Sequence, residues 1–277
     1  MRSASTIRTL LTNVLVVMVG LIFIMPIVVM ASTALKSIAQ VLVVPFRWIP
    51  HPIMWLNFVK ALTEQPFNLY FANSTMYSAL ALIGELLSCS IVAYAFVRFP
   101  SKWSKRMFNV VLFLLLMPYP VIIIPQFIMF SRIHWVGTYL PLIVPTFFAQ
   151  SSFLVFLFRQ FFQGIPQELF DAAEVDGAGP LRTFYRIVVP ISGSVFATAA
   201  IFSFTYHWND FLGPLVYLNQ NQNYTVSLGL ANFSSQYSLL PWNDLMAASI
   251  ASVLPTLIIF FSLQRYFKNS MVISGIK

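Results

Sequence analysis

Long apolar runs separated by short polar breaks dominate the pattern of this chain. A helix must supply about 20 predominantly apolar residues to cross a hydrocarbon layer about 30 Å thick. We predict six such helices, at about residues 10–34, 71–97, 107–130, 139–162, 191–217 and 244–266. The pattern therefore predicts an all-α integral membrane protein, organised as a single transmembrane domain over residues 1–277.

The composition excludes a water-soluble globule. Hydrophobic residues make up 58% of the chain and charged residues 9%, whereas soluble domains carry about 25% charged residues. The formal charge is +8, but the basic residues flank apolar runs, which indicates membrane orientation rather than a nucleic-acid partner. The first span follows Arg2 and Arg8 and exceeds the about 7–15 apolar residues of a cleaved signal peptide, so we expect it to be retained.

Lysine and arginine are unevenly shared between the two sides of the membrane. With the N-terminus in the cytoplasm, twelve of the 16 basic residues fall in cytoplasmic segments, and the outside keeps only Lys36, Arg47, Lys60 and Arg132. Positive residues are retained on the cytoplasmic side, so both termini are predicted to be cytoplasmic. The break at residues 163–190, between the fourth and fifth spans, then faces the cytoplasm.

This break concentrates acidic and small residues. It holds half of the chain's 8 acidic residues, namely Glu168, Asp171, Glu174 and Asp176. Residues 167–176 favour a short helix with acids near its positive N-terminal end, and Gly177 ends it. A second short helix is expected at 181–189. Three apolar residues of the first helix are predicted to share a face, at spacings of three and four: Leu169, Ala172 and Ala173.

Polar groups inside the predicted spans are candidates for a translocation path. Ionisable groups are costly in a membrane and usually face a cavity or a partner. The candidates are Glu85, His207, Asn209 and Asp210. For Glu85 the favoured alternative is a helix–helix or subunit contact. For Asn209 and Asp210 both interpretations stay open, because the prolines at 118, 120, 125, 141, 145 and 214 indicate broken helices that line a cavity.

Cysteine and histidine usage indicates neither disulfides nor a metal site. The chain has 1 cysteine, Cys89, inside an apolar run, which excludes an intrachain disulfide. Its 3 histidines, His51, His134 and His207, are not spaced as metal ligands.

Two predicted outside segments, 35–70 and 218–242, are longer than simple turns. Their tryptophans fit an aromatic belt at the headgroups. The uncharged run Asn219-Gln220-Asn221-Gln222-Asn223 fits either flexible filler or a surface that contacts a carbohydrate-binding partner.

The cytoplasmic break carries a motif with several matching positions. The string Asp171-Ala172-Ala173-x3-Gly177-x9-Ile187-x-Val189-Pro190 resembles the "EAA" signature of ABC-importer permeases, E-A-A-x3-G-x9-I-x-L-P. Asp replaces Glu and Val replaces Leu.

The resemblance extends over about residues 8–268, to the six-span permease of the maltose-transporter type. The segments that carry it are Phe71-Ala72-Asn73-Ser74, Ala93-Tyr94-Ala95-Phe96-Val97-Arg98-Phe99, Trp208-Asn209-Asp210-Phe211-Leu212 and Gln264-Arg265-Tyr266-Phe267. The tail departs, because Lys268 to Gly275 stands where the family commonly has a Gly-Leu-Thr-x-Gly-like string.

The resemblance implies a type I ABC-importer permease fold with a cytoplasmic coupling helix, in a prokaryotic plasma (inner) membrane. It implies a sugar importer whose partners are a second permease, two ATPase subunits and an extracytoplasmic sugar-binding protein. It assigns ATPase coupling to residues of the 163–190 loop: Glu168, Asp171, Ala172, Ala173, Asp176, Gly177, Ile187 and Pro190.

The chain carries no G-x-x-x-x-G-K-[ST] phosphate loop. We therefore expect a non-catalytic subunit without a cofactor of its own, with ATP and Mg²⁺ bound by the partner ATPase. Alternatives are an ABC permease for a non-sugar solute, a membrane-embedded enzyme or a channel. The chain lacks a His-Glu-x-x-His string or paired intramembrane aspartates for the enzyme, and a stand-alone channel would need no docking motif.

Overall fold

The computed structural model describes residues 2–63, 66–236 and 241–274, with side chains described for 9–63, 66–232 and 241–266. Within these ranges the chain is helical and contains no strand. The helices are α1 (Arg2–Ala34), α2 (Ile38–Val41), α3 (Leu56–Thr63), α4 (Phe67–Arg98), α5 (Lys102–Leu115), α6 (Tyr119–Arg132), α7 (Leu140–Ile143), α8 (Ser152–Phe162), α9 (Gln167–Val175), α10 (Pro180–Thr183), α11 (Val189–Ile191), α12 (Gly193–Trp208), α13 (Leu212–Tyr217), α14 (Val226–Gln236) and α15 (Trp242–Ser274). Two 3₁₀ turns, Val144–Phe148 and Asn221–Asn223, and one π-helical turn, Phe184–Val188, complete the described elements.

Apolar segments long enough to cross a membrane follow the predicted pattern. Four of them are Thr9–Ala34, Phe67–Arg98, Leu140–Phe162 and Trp242–Tyr266. Two bent pairs raise the number to 6 if each pair forms one span: Lys102–Leu115 with Tyr119–Arg132, and Pro180–Ile191 with Gly193–Trp208. Some residues named in the sequence analysis lie outside the described side chains. They are Arg2, Arg8 and Lys277, used for the orientation, and Lys268 to Gly275, the tail that departs from the family pattern.

The third predicted span, 107–130, is not one straight helix. Helices α5 and α6 meet at an angle of 104°. Pro118 begins the second helix as its N-cap, and a proline disfavours helical geometry in the residue before it. The break therefore follows from the proline, as the prolines of this predicted span indicate.

The fifth predicted span, 191–217, is also too simple. Helix α12 begins only at Gly193, bent by 83° from the segment that ends at Ile191, and it ends at Trp208. The side-chain amide of Asn209 donates to the carbonyl of Thr205, 2.8 Å away. Asp210 Oδ1 accepts from the backbone N–H of Gly213 at 3.1 Å, which starts a new turn. The Asn209 amide thus adds a bond to the last turn of α12, and the Asp210 carboxyl group satisfies a backbone N–H at the break.

The chain contacts divide into two compact units, Met1–Asn68 with Leu230–Leu254, and Leu69–Gly229 with Pro255–Lys277. The single transmembrane domain stays a prediction. In the first unit, the amide of Asn57 donates to the carbonyls of Ala34 and Lys36, each at 2.8 Å. The Lys36 ammonium is buried 3.4 Å from the centre of the Phe46 ring, and burial lowers the pKa of Lys36.

One core of the second unit packs aromatic rings against aliphatic side chains and joins α4 and α8 to the acidic break at residues 163–190. Cys89 lies within it, buried and unbridged. The residues of this core are Cys89, Ala93, Tyr94, Leu154, Val155, Phe158, Phe162, Phe170, Phe184, Val188, Val195 and Ala199.

Helix α4 passes very close to the 3₁₀ turn Val144–Phe148. The Ser88 hydroxyl donates to the carbonyl of Thr146 at 2.7 Å and accepts from the N–H of Ala149 at 3.0 Å. Ala149 has a left-handed φ of 54°, so Ser88 satisfies backbone groups where the helix is interrupted. A Cβ on Gly84, one turn earlier, would lie 2.8 Å from the Phe147 ring.

We expect Gly84→Ala to destabilise the protein by about 1–3 kcal/mol, because an added methyl group overfills this contact. Thermal unfolding of the purified protein would show a lower Tm. Gly20→Ala is the matched control, since nothing lies within 4 Å of a Cβ at Gly20. Equal Tm values for the two variants would contradict the close contact.

Candidate functional site

The acidic break forms a short helix, as its sequence predicts. Pro166 precedes α9, whose last residue is Val175. The chain then turns at Gly177, where φ is +71° and the N–H donates to the carbonyl of Glu174 at 3.0 Å. The N–H of Ala178 donates to the carbonyl of Ala173 at 2.9 Å, so the carbonyls of the last turn are paired as at a typical glycine C-cap.

One face of α9 is buried against the rest of the protein and the other is exposed. Phe170 and Ala173 are each only 3% exposed, whereas Leu169 and Ala172 are exposed. Leu169, Ala172 and Ala173 share one side of α9 by their spacing, but only Ala173 is buried, because it lies beside Phe170 at the edge of the packed side.

The inner face of α9 is braced against the end of α4. The ring of Tyr94 lies 6.4 Å from that of Phe170 and 5.1 Å from that of Phe184. The Tyr94 hydroxyl donates to the carbonyl of Pro180 at 3.1 Å. Arg98 Nη2 lies 2.6 Å from Glu174 Oε2. These contacts join α9 and the turn after it to the end of α4.

The outer face of α9 combines acids with bare apolar groups. It consists of Glu168, Leu169, Asp171, Ala172 and Val175, all exposed. Val175 is 88% exposed, although a solvated connector would have no need of an open valine. Leu181 and Tyr185, from the segment that follows, are exposed as well. Such a mixed patch is typical of a protein-binding surface.

The remaining motif residues lie beside this face. Asp176 and Gly177 are exposed at the turn, Ile187 is half-buried, and Pro190 is exposed within α11. The second short helix expected at 181–189 is divided into α10, the π-helical turn and the start of α11. Only Val189 separates Pro190 from the π-helical turn, and the missing N–H of Pro190 interrupts the helical hydrogen bonds there.

A second group of predicted residues meets inside the spans. Glu85, on α4, accepts a hydrogen bond from the Ser203 hydroxyl at 2.7 Å, and its Oε2 lies 3.3 Å from His207 Nε2. Both partners belong to α12. Glu85 thus makes a helix–helix contact, which is one of its two interpretations.

Tyr77 extends the network to Asp210. Its hydroxyl donates to Asp210 Oδ2 at 3.0 Å and lies 3.0 Å from His207 Nδ1. The Tyr77 hydroxyl thus links Asp210 to His207, whose other ring nitrogen faces Glu85.

These groups line a cavity of about 720 Å³. Its wall also offers the phenols of Tyr119 and Tyr206 and the amides of Gln126 and Gln150. No lysine or arginine is among the residues that line it.

The structure brings together three of the four path candidates: Glu85, His207 and Asp210. Asn209 is exposed, does not line the cavity and caps α12. Sequence reasoning missed Tyr77 and Ser203. Ser203 lies four residues before His207, and that helical spacing on one face was an available signal.

The Asn/Gln run at 219–223 is tied down. The Tyr70 hydroxyl donates to Asn221 Oδ1, and the Asn73 amide donates to the carbonyl of Gln222 at 2.8 Å. The Tyr139 hydroxyl donates to the carbonyl of Asn223 at 2.6 Å. These bonds oppose the interpretation of the run as flexible filler.

Metal chemistry finds no support in the described part of the chain, where no group of three His, Cys, Asp or Glu side chains could hold a metal ion.

Residues 86–273 match the family described as "Binding-protein-dependent transport system inner membrane component". The chain belongs to this family. It is thus a multi-pass inner-membrane permease component of a binding-protein-dependent transport system, and the resemblance to ABC-importer permeases is confirmed.

Similar proteins carry related descriptions. The chain is 34% identical over 222 residues to the arabinooligosaccharides transport system permease protein AraQ of Halalkalibacterium halodurans, covering 80% of this chain and 78% of that protein. It is 34% identical over 216 residues to the lactose transport system permease protein LacG of Rhizobium radiobacter, covering 78% of each. It is 30% identical over 267 residues to the sn-glycerol-3-phosphate transport system permease protein UgpE of Yersinia enterocolitica, covering 94% of each.

The fold is shared with a solved transporter. A chain of a bacterial ABC transporter involved in the import of the acidic polysaccharide alginate superposes with a TM-score of 0.82 at 19% identity, covering 95% of this chain and 98% of that one. The predicted ABC-importer permease fold is confirmed.

We expect Gly177→Ala to loosen the end of α9, because a left-handed backbone costs a residue with a Cβ about 1–2 kcal/mol. Hydrogen exchange over residues 167–178 would be faster in this variant. Gly179→Ala is the control, since Gly179 has a φ of −68° and nothing lies within 4 Å of its Cβ position. Unchanged exchange in Gly177→Ala, or an equal change in both variants, would contradict the role given to the turn.

Proposed function

We propose that this chain is a non-catalytic permease subunit of an ATP-driven importer of neutral sugars, and that α9 couples it to an ATPase. One observation carries the coupling: the outer face of α9 is open while its inner face is fixed to the end of α4. This geometry suits a helix whose exposed side is bound by another protein and whose movement would reach α4. The family membership and the sugar-related descriptions of AraQ and LacG support the transport role.

The docking proposal assigns a task to each side of α9. Ala172 has no side chain beyond Cβ, so a partner surface can approach the helix backbone closely. Val175 and Leu169 supply apolar contact area, and Glu168 and Asp171 can accept hydrogen bonds from basic or backbone N–H groups. ATP and Mg²⁺ would be bound by that partner, of which we propose two copies. One copy holds α9 and the other holds the equivalent helix of a second permease.

The contacts between α9 and α4 would then pass a movement of α9 on to the membrane spans. Arg98 and Glu174 form a partly exposed ion pair, which contributes little stability but fixes the direction of α9. Tyr94 joins Phe170 and Pro180, on either side of the Gly177 turn, to α4. A shift imposed on α9 would therefore tilt α4, which also carries Tyr77 and Glu85 in the cavity wall.

The cavity supports a neutral cargo. Its ionisable groups are two carboxylates, one histidine and two further tyrosines besides Tyr77, with no lysine or arginine. The wall thus offers an anion no lysine or arginine to bind, whereas sugar hydroxyls can donate to its carboxyl groups and phenols. A phosphate ester of the kind named for UgpE therefore fits less well.

The orientation belongs to the same proposal. We propose that both termini and α9 lie in the cytoplasm of a prokaryotic cell, because positive residues accumulate on that side. The tied Asn219–Asn223 run then faces outward, where an extracytoplasmic sugar-binding protein would dock. A preformed loop costs less conformational entropy on binding than a flexible one.

We expect Ala172→Asp to abolish ATP-driven uptake while the chain still inserts and folds, because Ala172 is exposed and the added carboxylate would face the ATPase. Ala172→Ser is the matched control and should keep most of the uptake. Uptake of the cargo into cells, with membrane levels checked by immunoblot, measures both. Normal uptake by Ala172→Asp would sink the docking proposal. Ala173→Asp is unsuitable, since Ala173 is buried.

The charge of the cargo can be tested without knowing its name. We expect the binding protein that co-purifies with this chain from native membranes to release an uncharged saccharide, identified by mass spectrometry. The released ligand, reloaded onto the binding protein, should stimulate ATPase activity of the reconstituted complex. A stimulating ligand that carries a phosphate or a carboxylate would contradict the neutral-cargo assignment but leave the docking proposal intact.

A further inference from the structure

A second cavity, of about 480 Å³, lies beside α9, the docking helix, and shares no lining residue with the cargo cavity lined by Glu85, His207 and Asp210. It is formed where α4 and α8 end and α5 and α9 begin. Its lining residues are Phe96, Val97, Pro100, Ser104, Lys105, Arg159, Phe162, Gln163, Ile165, Gln167 and Phe170. Because apolar spans end or begin here, the cavity lies at the level of the membrane surface.

The charge of this cavity is the opposite of that of the cargo cavity. Lys105 and Arg159 line it, and no aspartate or glutamate does. Ser104, Gln163 and Gln167 add neutral polar groups. At about 480 Å³ the cavity is far larger than the about 30 Å³ occupied by one water molecule. It can therefore admit an anionic group with several hydrogen-bond acceptors.

The Arg159 guanidinium makes two contacts and keeps one hydrogen-bond donor without a partner. Its guanidinium carbon lies 3.9 Å from the centre of the Phe108 ring, and Nη1 donates to Gln163 Oε1 at 3.2 Å. Its Nε is buried and has no hydrogen-bond partner. Leaving a buried N–H of a charged group without a hydrogen bond costs free energy. An anion in the cavity could accept a hydrogen bond from this N–H.

The rest of the wall is apolar. Phe96, Val97 and Phe162 come from the ends of spans, and Ile165 and Phe170 come from the loop. A site with cations on one side and hydrocarbon on the other matches a lipid, which has an anionic headgroup attached to acyl chains. Free phosphate would use only the cations.

We propose that this cavity binds the phosphate headgroup of an anionic phospholipid, in contact with Lys105 and Arg159. Basic pockets between membrane helices bind such headgroups on the cytoplasmic side. Gln167 and Phe170 belong to α9, so the bound headgroup touches the docking helix as well as the span ends. The lipid thereby supports α9 in the position from which it couples.

The test uses the complete importer complex, purified in mild detergent and titrated with phosphatidylglycerol. Native mass spectrometry counts the lipids retained on each complex. We expect Lys105→Gln to weaken retention of the tightest-bound phosphatidylglycerol about fivefold, the effect of one basic charge near a lipid surface. Arg159→Gln should weaken it at least as much. Lys102→Gln is the matched control, an exposed lysine one turn earlier on α5 that does not line the cavity.

The competing arms use phosphatidylcholine and inorganic phosphate. The site is supported if neither competitor displaces the retained phosphatidylglycerol, if Lys105→Gln weakens the retention of this lipid, and if Lys102→Gln leaves its retention unchanged. Equal losses in Lys105→Gln and Lys102→Gln, or no loss in Lys105→Gln, would overturn it. So would equal displacement by phosphatidylcholine, or by inorganic phosphate at the same concentration. Lys105→Gln decides the matter if Arg159→Gln fails to fold, and the readout does not depend on transport.

Discussion

The absence of water in the hydrocarbon layer is the constraint on which the rest of this structure depends. Every backbone N–H and C=O group there must find a partner inside the protein, so each interruption of a span requires a side chain to replace the helical bond. Ser88 does this beside Ala149, and Asp210 does it for Gly213. Polar side chains within the spans are thus required by the breaks, before any cargo is considered.

The same requirement explains why the cavity lined by Glu85 and Asp210 is polar. Asp210 binds the backbone with one oxygen and Tyr77 with the other. Tyr77 also contacts His207, which faces Glu85. A bent span therefore brings the groups that stabilise its backbone into the cavity wall.

The packing of α9 depends instead on aromatic contacts. Packing around Tyr94 fixes the inner face of α9, and its outer face is exposed in the part of the chain that the structure describes. The two cavities differ in their ionisable groups, because carboxyl groups line the cavity in the spans and Lys105 and Arg159 line the cavity beside α9.

The sequence alone determined the features that depend on local composition: the apolar spans, the basic bias of one side, and the spacing of the coupling motif. Length, charge and motif spacing are properties of contiguous residues, so no packing information was needed. Only the tertiary structure decided that Ala173 is buried while Ala172 is exposed, and that Asn209 lies outside the cavity that Asp210 lines. The side of α9 that is buried depends on the packing of Phe170 against Tyr94, and such contacts join residues that are far apart in the chain.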